Sequence, residues 1–442
     1  MASAALIATG LSPAVFGQTP KTPEKAPSAA VGGESPATNS DASNNDASVD
    51  SPPGEASAAG KPRDLVAKLG SESFDERRAA ETQLREFGLD ARDALQQGLS
   101  SDDLQIRRTC QRLLNDILES DYQRRLSRFV DDPQGKLEHD LPGWERYRQI
   151  AGDDAAARRL FAEMHQAEGA LLISTEAGKV PMADALDIRY RSVYQMMRLP
   201  NSNQRVQPSL ATVSALMFVA ADPRLDSDVA DDAYWSQITN SPLYRQGLTS
   251  GETKEPGRKV LGQWIALSTG PRLLNQKLRM AIQYEIPEGL GLALETIENR
   301  NGIPPSYASY AIEAVGKLGG KPYAARLAPL LKETSAITRQ RVNKVIVTIE
   351  LRDVALGWLI HLTGQDHEQY HLPRAKPIFQ RMAQNPANYS VSYSYMRFDN
   401  TVQRDEAFAK WNAYVEKHPL PEPPKDEGAP RDEQATPAAA GK

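Results

Sequence analysis

The sequence predicts an all-α fold in which helical hairpins stack into an α-α superhelix, flanked by a disordered N-terminal tether and a disordered C-terminal tail. Three observations predict it. The region after a low-complexity stretch matches itself at an offset of 30 residues. Apolar residues then recur at helical spacing along most of the chain, and the period-two alternation of a strand is found at one place only.

The first seventeen residues, MASAALIATGLSPAVFG, place an apolar run from Ala4 to Phe16 ahead of small Val15 and Gly17. This is the spacing a signal peptidase reads, so residues 1–17 are expected to be a secretory signal, although no Lys or Arg precedes Lys21. The expected address is exported, periplasmic or envelope-associated. Gly10 and Pro13 interrupt the run, and no later segment offers about 20 uninterrupted apolar residues, so no stable membrane span is expected. From residue 18 to 60 Ala, Ser, Pro, Gly, Asn and Asp dominate and no aromatic residue occurs. Such a stretch buries too little apolar area to offset the entropy of ordering it, which makes it a tether.

The repeat begins here, over residues 61–132. Leu65 pairs with Leu95, Leu69 with Leu99, Ser71 with Ser101, Phe74 with Leu104, Arg77-Arg78 with Arg107-Arg108, and Ala79-Ala80 with Thr109-Cys110. Each unit reads as a hairpin. A short first helix carries Leu65, Val66 and Leu69; Gly70-Ser71 turn the chain; Ser73 stands as N-cap three residues before Glu76; and the second helix stops at Gly88. One hairpin leaves an apolar stripe open, so it is stable only when a neighbour covers that stripe.

The blocks FDERRAAETQLREFG and ALQQGLSSDDLQIRRTCQRLL resemble HEAT-like repeats, and the resemblance implies an α-solenoid. Leu141–Leu172, LMFVAADPR (Leu216–Arg224), VALGWLIHLTGQD and RDEAFAKW are similar to a group of exported bacterial proteins built on such repeats and without an assigned activity. The resemblance implies a fold and no catalytic residue.

Residues 133–302 read as a central helical region. Asp153–Leu172 carries Ala156, Leu160, Phe161, Met164 and Leu171 on one face, and Ser209–Ala221 is almost wholly apolar, as a helix buried on several sides would be. Pro256–Leu267, Leu273–Tyr284 and Gly289–Ile297 continue the series. Over 303–418, Tyr307–Leu318, Pro322–Leu331, Thr338–Ile349 and Val354–Leu362 are expected to make two further hairpins. Arg404–Val415 brings Phe408, Trp411 and Val415 to helical spacing, a stripe that packs on the last hairpin. In NYSVSYSYMRF, Tyr389, Val391, Tyr393 and Tyr395 alternate with Ser as in a half-buried strand. It is expected to lie extended on the last helices. Its Tyr389, Tyr393 and Tyr395 are the candidate binding residues, as an edge that could recruit a partner strand. Residues 419–442 return to tether composition.

Chemistry is sparse. A formal charge of −5, from 52 basic and 57 acidic residues, gives no field for holding nucleic acid, and the arginine pairs are interleaved with acids, so nucleic acid is not an expected partner. Cys110 is the single cysteine, opposite Ala80 in the repeat, and reads as a buried small hydrophobe. His367-Glu368-Gln369-Tyr370-His371 matches H-E-x-x-H, in which two histidines one helical turn apart bind zinc and the glutamate takes a proton from the bound water. That chemistry needs a helix, whereas Gly364 precedes the motif and Pro373 follows it, so a solvated loop is expected. The reading is therefore a non-catalytic exported scaffold that binds another macromolecule, a protein of the cell envelope, through its solenoid surface and with no cofactor. The alternative is a zinc-dependent hydrolase with Glu368 as base and His367, His371 and Glu406 as ligands.

Overall fold

The structure of the protein, a computed structural model, describes residues 60–177, 181–199, 205–225, 232–267, 271–342, 345–385 and 390–424. The predicted signal, the tether up to residue 59, Tyr389 and the tail from residue 425 lie outside the described residues. The fold is helical. Among the described residues no helix is long and apolar enough to cross a membrane.

Two hairpins open it: α1 (Gly60–Lys68) with α2 (Phe74–Phe87), and α3 (Arg92–Gly98) with α4 (Leu104–Val130). Buried Leu65 of α1 and Leu69 just after it meet Ala80 and Leu84 of α2, each pair four residues apart, and Ala91, Leu95, Cys110, Leu113 and Ile117 complete the same small core. The repeat recurs at the level of single hydrogen bonds. Arg77 Nη1 donates to the carbonyls of Ser71 and Glu72 at 2.7 and 2.9 Å, and Arg107 Nη1 donates to those of Ser101 and Asp102 at 2.6 and 2.9 Å. Each arginine thus ties down the turn that precedes its own helix. These two arginines are braces. Glu81–Arg112 and Arg85–Asp116 bridge α2 to α4 in one register, so the two helices run parallel with their N-termini at the same end.

The caps differ between the copies. Asp103 caps α4 through its carboxylate, which accepts the Gln105 and Ile106 amides. Ser73 occupies the matching position without a side-chain bond, contrary to the expected capping box. The Ser71 hydroxyl accepts the Ser73 amide and donates to Glu76 instead, which satisfies the same carboxylate from two residues earlier.

Helix α4 outlasts the first core and delivers Tyr122, Leu126 and Phe129 to a second, larger one that extends to Trp411. There α5 (Trp144–Ala151), α6 (Ala155–Ala177) and α7 (Met182–Met197) lead to α8 (Leu210–Ala220), whose LATVSALMFVA is buried on nearly every side, as its lack of charged residues foretells. α6 breaks at Glu168, whose φ of −136° is non-helical. α9 (Asp232–Thr239), α10 (Pro242–Thr249), α11 (Lys254–Ala266), α12 (Pro271–Tyr284), α13 (Gly289–Glu298) and α14 (Pro305–Ala314) follow. Gly316 lets the turn after α14 press on Trp358: a Cβ there would come within 2.1 Å of the indole.

The C-terminal part corrects the expected pair of hairpins. Pro322–Leu331 is not one helix but a 3-10 turn, the single turn α15 (Ala324–Leu327) and a second 3-10 turn, because Pro329 offers no amide to continue the ladder. Thr338–Ile349 is not a helix either. It forms β1 (Ala336–Val342) and β2 (Val345–Glu350), paired antiparallel with Arg339 opposite Thr348 and Gln340 opposite Val347. β-branched residues fill this stretch, and Val347 and Ile349 are buried while Ile346 before them is 67% exposed and Thr348 between them is half-buried, a period of two. Then come α16 (Leu351–Leu362), α17 (Ala375–Gln384) and α18 (Thr401–Lys417). The expected strand around Tyr393 is absent: Tyr393–Tyr395 is a 3-10 turn capped by the Ser392 hydroxyl, which accepts the Ser394 amide. Serines that bond their own backbone compete with a strand ladder.

Candidate functional site

The HEQYH pentapeptide folds around Asp366, whose carboxylate accepts the Glu368 amide and starts a single 3-10 turn over His367–Tyr370. His371 then takes φ +57°, and the turn cannot extend into the helix that a zinc motif requires. The histidines part company. His367 is 4% exposed, contrary to the solvated loop expected of it, and its Nε2 donates to the Gly357 carbonyl at 3.1 Å. Its ring lies nearly parallel to Phe379, with centroids 4.6 Å apart, and His361 stacks on the same phenylalanine at 4.2 Å. Burial holds both imidazoles below the usual histidine range, His361 at about 4, so both are neutral near pH 7.

His371 turns outward, and its Nε2 lies 2.9 Å from Glu406 on α18. Glu368 pairs with Lys376 on α17 at 3.0 Å, and Gln369 takes Lys410 Nζ on its side-chain and backbone oxygens. Tyr370 is buried, with its hydroxyl on Gln365. Each side chain of the motif is therefore engaged with α16, α17, α18 or the turn itself. Of the four residues named for zinc, the fold brings His371 and Glu406 together and sends His367 to the interior. Among the described residues no group of three or more His, Cys, Asp or Glu is arranged to hold a metal ion.

Tyr393 and Tyr395 are half-buried against the large core, as the packed reading of that segment expects, and Val391 beside them is buried. What fixes the segment is Glu313 of α14. Its Oε1 accepts the Val391 amide at 2.5 Å, and burial pushes this carboxyl up to about 7. A second buried acid, Asp353 of α16, accepts two bonds from Arg404 of α18 at 2.9 Å; burial raises it to about 6 against the opposing pull of the guanidinium. Both acids are buried, Glu313 at 2% and Asp353 at 0% exposure. They anchor the end of the chain.

Cys110 is buried, and burial pushes its thiol up to about 11, which makes it inert as a nucleophile. His165 is locked between the Tyr122 hydroxyl and the Pro142 carbonyl, and His139 sits on Asp132, whose carboxylate is held far below its usual range by that contact and by the Lys136 and Leu137 amides. Arg124 and Arg125 both pair with Asp121.

The feature that single-residue reading missed is on the surface of the repeats. Phe74 and Leu104 occupy the same repeat position at the first residue of α2 and of α4, and they are 64% and 51% exposed. Because α2 and α4 run parallel in register, both project from one end. The pairing of Phe74 with Leu104 in the sequence carried that signal, since positions that exist only for packing do not repeat as exposed hydrophobes.

No protein-family model matches the chain, and no curated protein matches it.

Proposed function

We propose that this chain is a non-catalytic, exported HEAT-like scaffold that binds another protein, a component of the cell envelope, through the surface of its stacked hairpins. The observation that carries the reading is the repeated exposure of Phe74 and Leu104 above turns held by equivalent bonds from Arg77 and Arg107. Rigid turns carrying exposed apolar side chains at a regular spacing are what a repeat surface offers a partner. The engaged state of every side chain in HEQYH favours a structural role for that motif. Export rests on residues 1–17 and the tether that follows them.

The test is site-specific photo-cross-linking in the producing cell. A probe at position 74 or 104 is expected to give one discrete adduct of the same mass, and a probe at exposed Glu416 on α18 is expected to give none. Equal labelling from all three positions would remove the reading. F74A/L104A, a double change at exposed sites, is expected to lose the partner with its helical circular dichroism unchanged.

A further inference from the structure

The outer face of the first hairpin holds an open groove of about 580 Å³ between α1 and α2. Its lining is the repeat's own stacking face. Lys61, Asp64, Leu65, Lys68, Gln83, Glu86 and Phe87 stand 30 residues before Ala91, Ala94, Leu95, Gly98, Leu113, Asp116 and Ile117. In the second hairpin these positions receive the first: Ala91, Leu95, Leu113 and Ile117 share a core with Leu65, Leu69 and Leu84, and Gly98 lies against Val66. The groove is thus shaped to take a hairpin. Its apolar floor survives as Leu65 and Phe87, but Lys61, Asp64 and Lys68 stand where the second hairpin has Ala91, Ala94 and Gly98, and Gln83 stands where it has Leu113.

That charge is divided between the walls. α1 contributes Lys61 and Lys68 against one acid, Asp64, and α2 contributes Glu86 beside Gln83. Among the described residues none of these five side chains has an ion-pair or hydrogen-bond partner, whereas Glu81 and Arg85 on the far side of α2 are paired. A basic wall beside an acidic one is complementary to itself. α1 and α2 form an antiparallel hairpin, so the start of α1 and the end of α2 lie at one level.

We propose that this groove is a self-association site, in which a second copy of the chain lays its own α1–α2 face about a twofold axis running along the groove. The rotation sets α1 of each copy over α2 of the other, with Lys61 opposite Glu86 twice, as an isologous interface requires. The face is small. With α1 about 14 Å long, α2 about 21 Å long and the two packed about 10 Å apart, the face presents roughly 350 Å² per copy, so the dimer is weak and its charge pairs decide its strength.

Sedimentation of the full chain from low micromolar to several hundred micromolar tests this. A concentration-dependent dimer that weakens with salt is expected. Lys61→Glu or Glu86→Lys alone is expected to raise the dissociation constant by roughly tenfold or more, since each opposes like charges at two places. An equimolar mixture of the two variants is expected to dimerise again as a heterodimer, because it restores both pairs. Both residues are exposed, so unchanged circular dichroism shows that neither variant acts through misfolding. A chain that stays monomeric throughout the range overturns the proposal, as does a dimer indifferent to both reversals or a mixture that fails to restore it. F74A/L104A is expected to leave the dimer intact, which separates this face from the partner surface.

Discussion

Arg404 on the last helix donates Nε and Nη2 to the two oxygens of Asp353, both at 2.9 Å, and the pair is buried. Nη1 of the same guanidinium reaches Glu350 at 3.3 Å and Nη2 also meets the Thr348 carbonyl at 2.7 Å, so one side chain ties β2, α16 and α18 together. A buried fork of this kind is costly to break because the surviving charge stays buried. Arg404→Met is expected to destabilise the protein by about 3–5 kcal/mol in urea unfolding. The double variant R404M/D353L is expected to recover most of that loss. Recovery should fall short by about 1 kcal/mol, since Asp353 Oδ2 also accepts the Glu350 amide that starts α16.

Glu313 makes stability depend on pH. Burial raises its carboxyl from 4.5 to about 7, so between those values the folded chain holds a proton that the unfolded chain has released. The proton favours folding below pH 4.5, and that contribution is lost as pH rises through 7. Glu313→Gln keeps an oxygen for the Val391 amide and removes the titration. The stability of this variant relative to the native chain is expected to improve from pH 5 to about pH 7 and to level off by pH 8 in paired denaturation curves. A constant difference across that window would show that Glu313 titrates like an exposed carboxyl. Asp353 is raised in the same sense, and His361 and His367, held neutral by burial, act in the opposite one, so only the paired difference isolates Glu313.

The first two hairpins were legible because packing there is local. Leu65, Leu69, Ala80 and Leu84 lie within one unit, and an offset of 30 residues copies them, together with Arg77, into the next. The β-pair over Ala336–Glu350 was not legible as such. Thr338, Val342 and Ile349 also fit a helical stripe, and the alternation of Ile346 and Val347 is decided by α14 and α16 lying beneath one face only. HEQYH misled in a different way. Gly364 and Pro373 correctly predicted a turn, but that His367 is interior follows from Phe379 and Gly357, residues on two other helices that no local pattern connects to it.

His367 and His371 are identical in the motif and unlike in the fold, which predicts unlike costs. His367→Ala removes a ring packed on Phe379 and leaves the Gly357 carbonyl buried without its donor, a loss of about 2–4 kcal/mol. His371→Ala removes an exposed contact with Glu406 and is expected to cost less than about 1 kcal/mol. Thermal melts with and without a chelator check both points at once. A shared metal would make the two substitutions equally damaging and the native melt chelator-sensitive, whereas the observed contacts predict unequal losses and an unmoved melt.

Gly98 and Cys110 offer the closest test of the repeat itself. A Cβ at Gly98 would lie 2.4 Å from Cys110 Sγ and 3.0 Å from Val66 Cγ1, so glycine here is what allows α3 to approach both α4 and α1. Gly98→Ala is expected to cost about 1–3 kcal/mol by overpacking, despite alanine's better helix propensity. The first hairpin already contains the remedy: it carries Ala80 where the second carries Cys110. Cys110→Ala alone should open a small void and cost about 1 kcal/mol, while G98A/C110A should be more stable than either single change predicts, because the new methyl group fills the space that sulfur vacates. Strict additivity in a double-mutant cycle would mean that the two residues do not touch, and the close approach of the hairpins would need another cause.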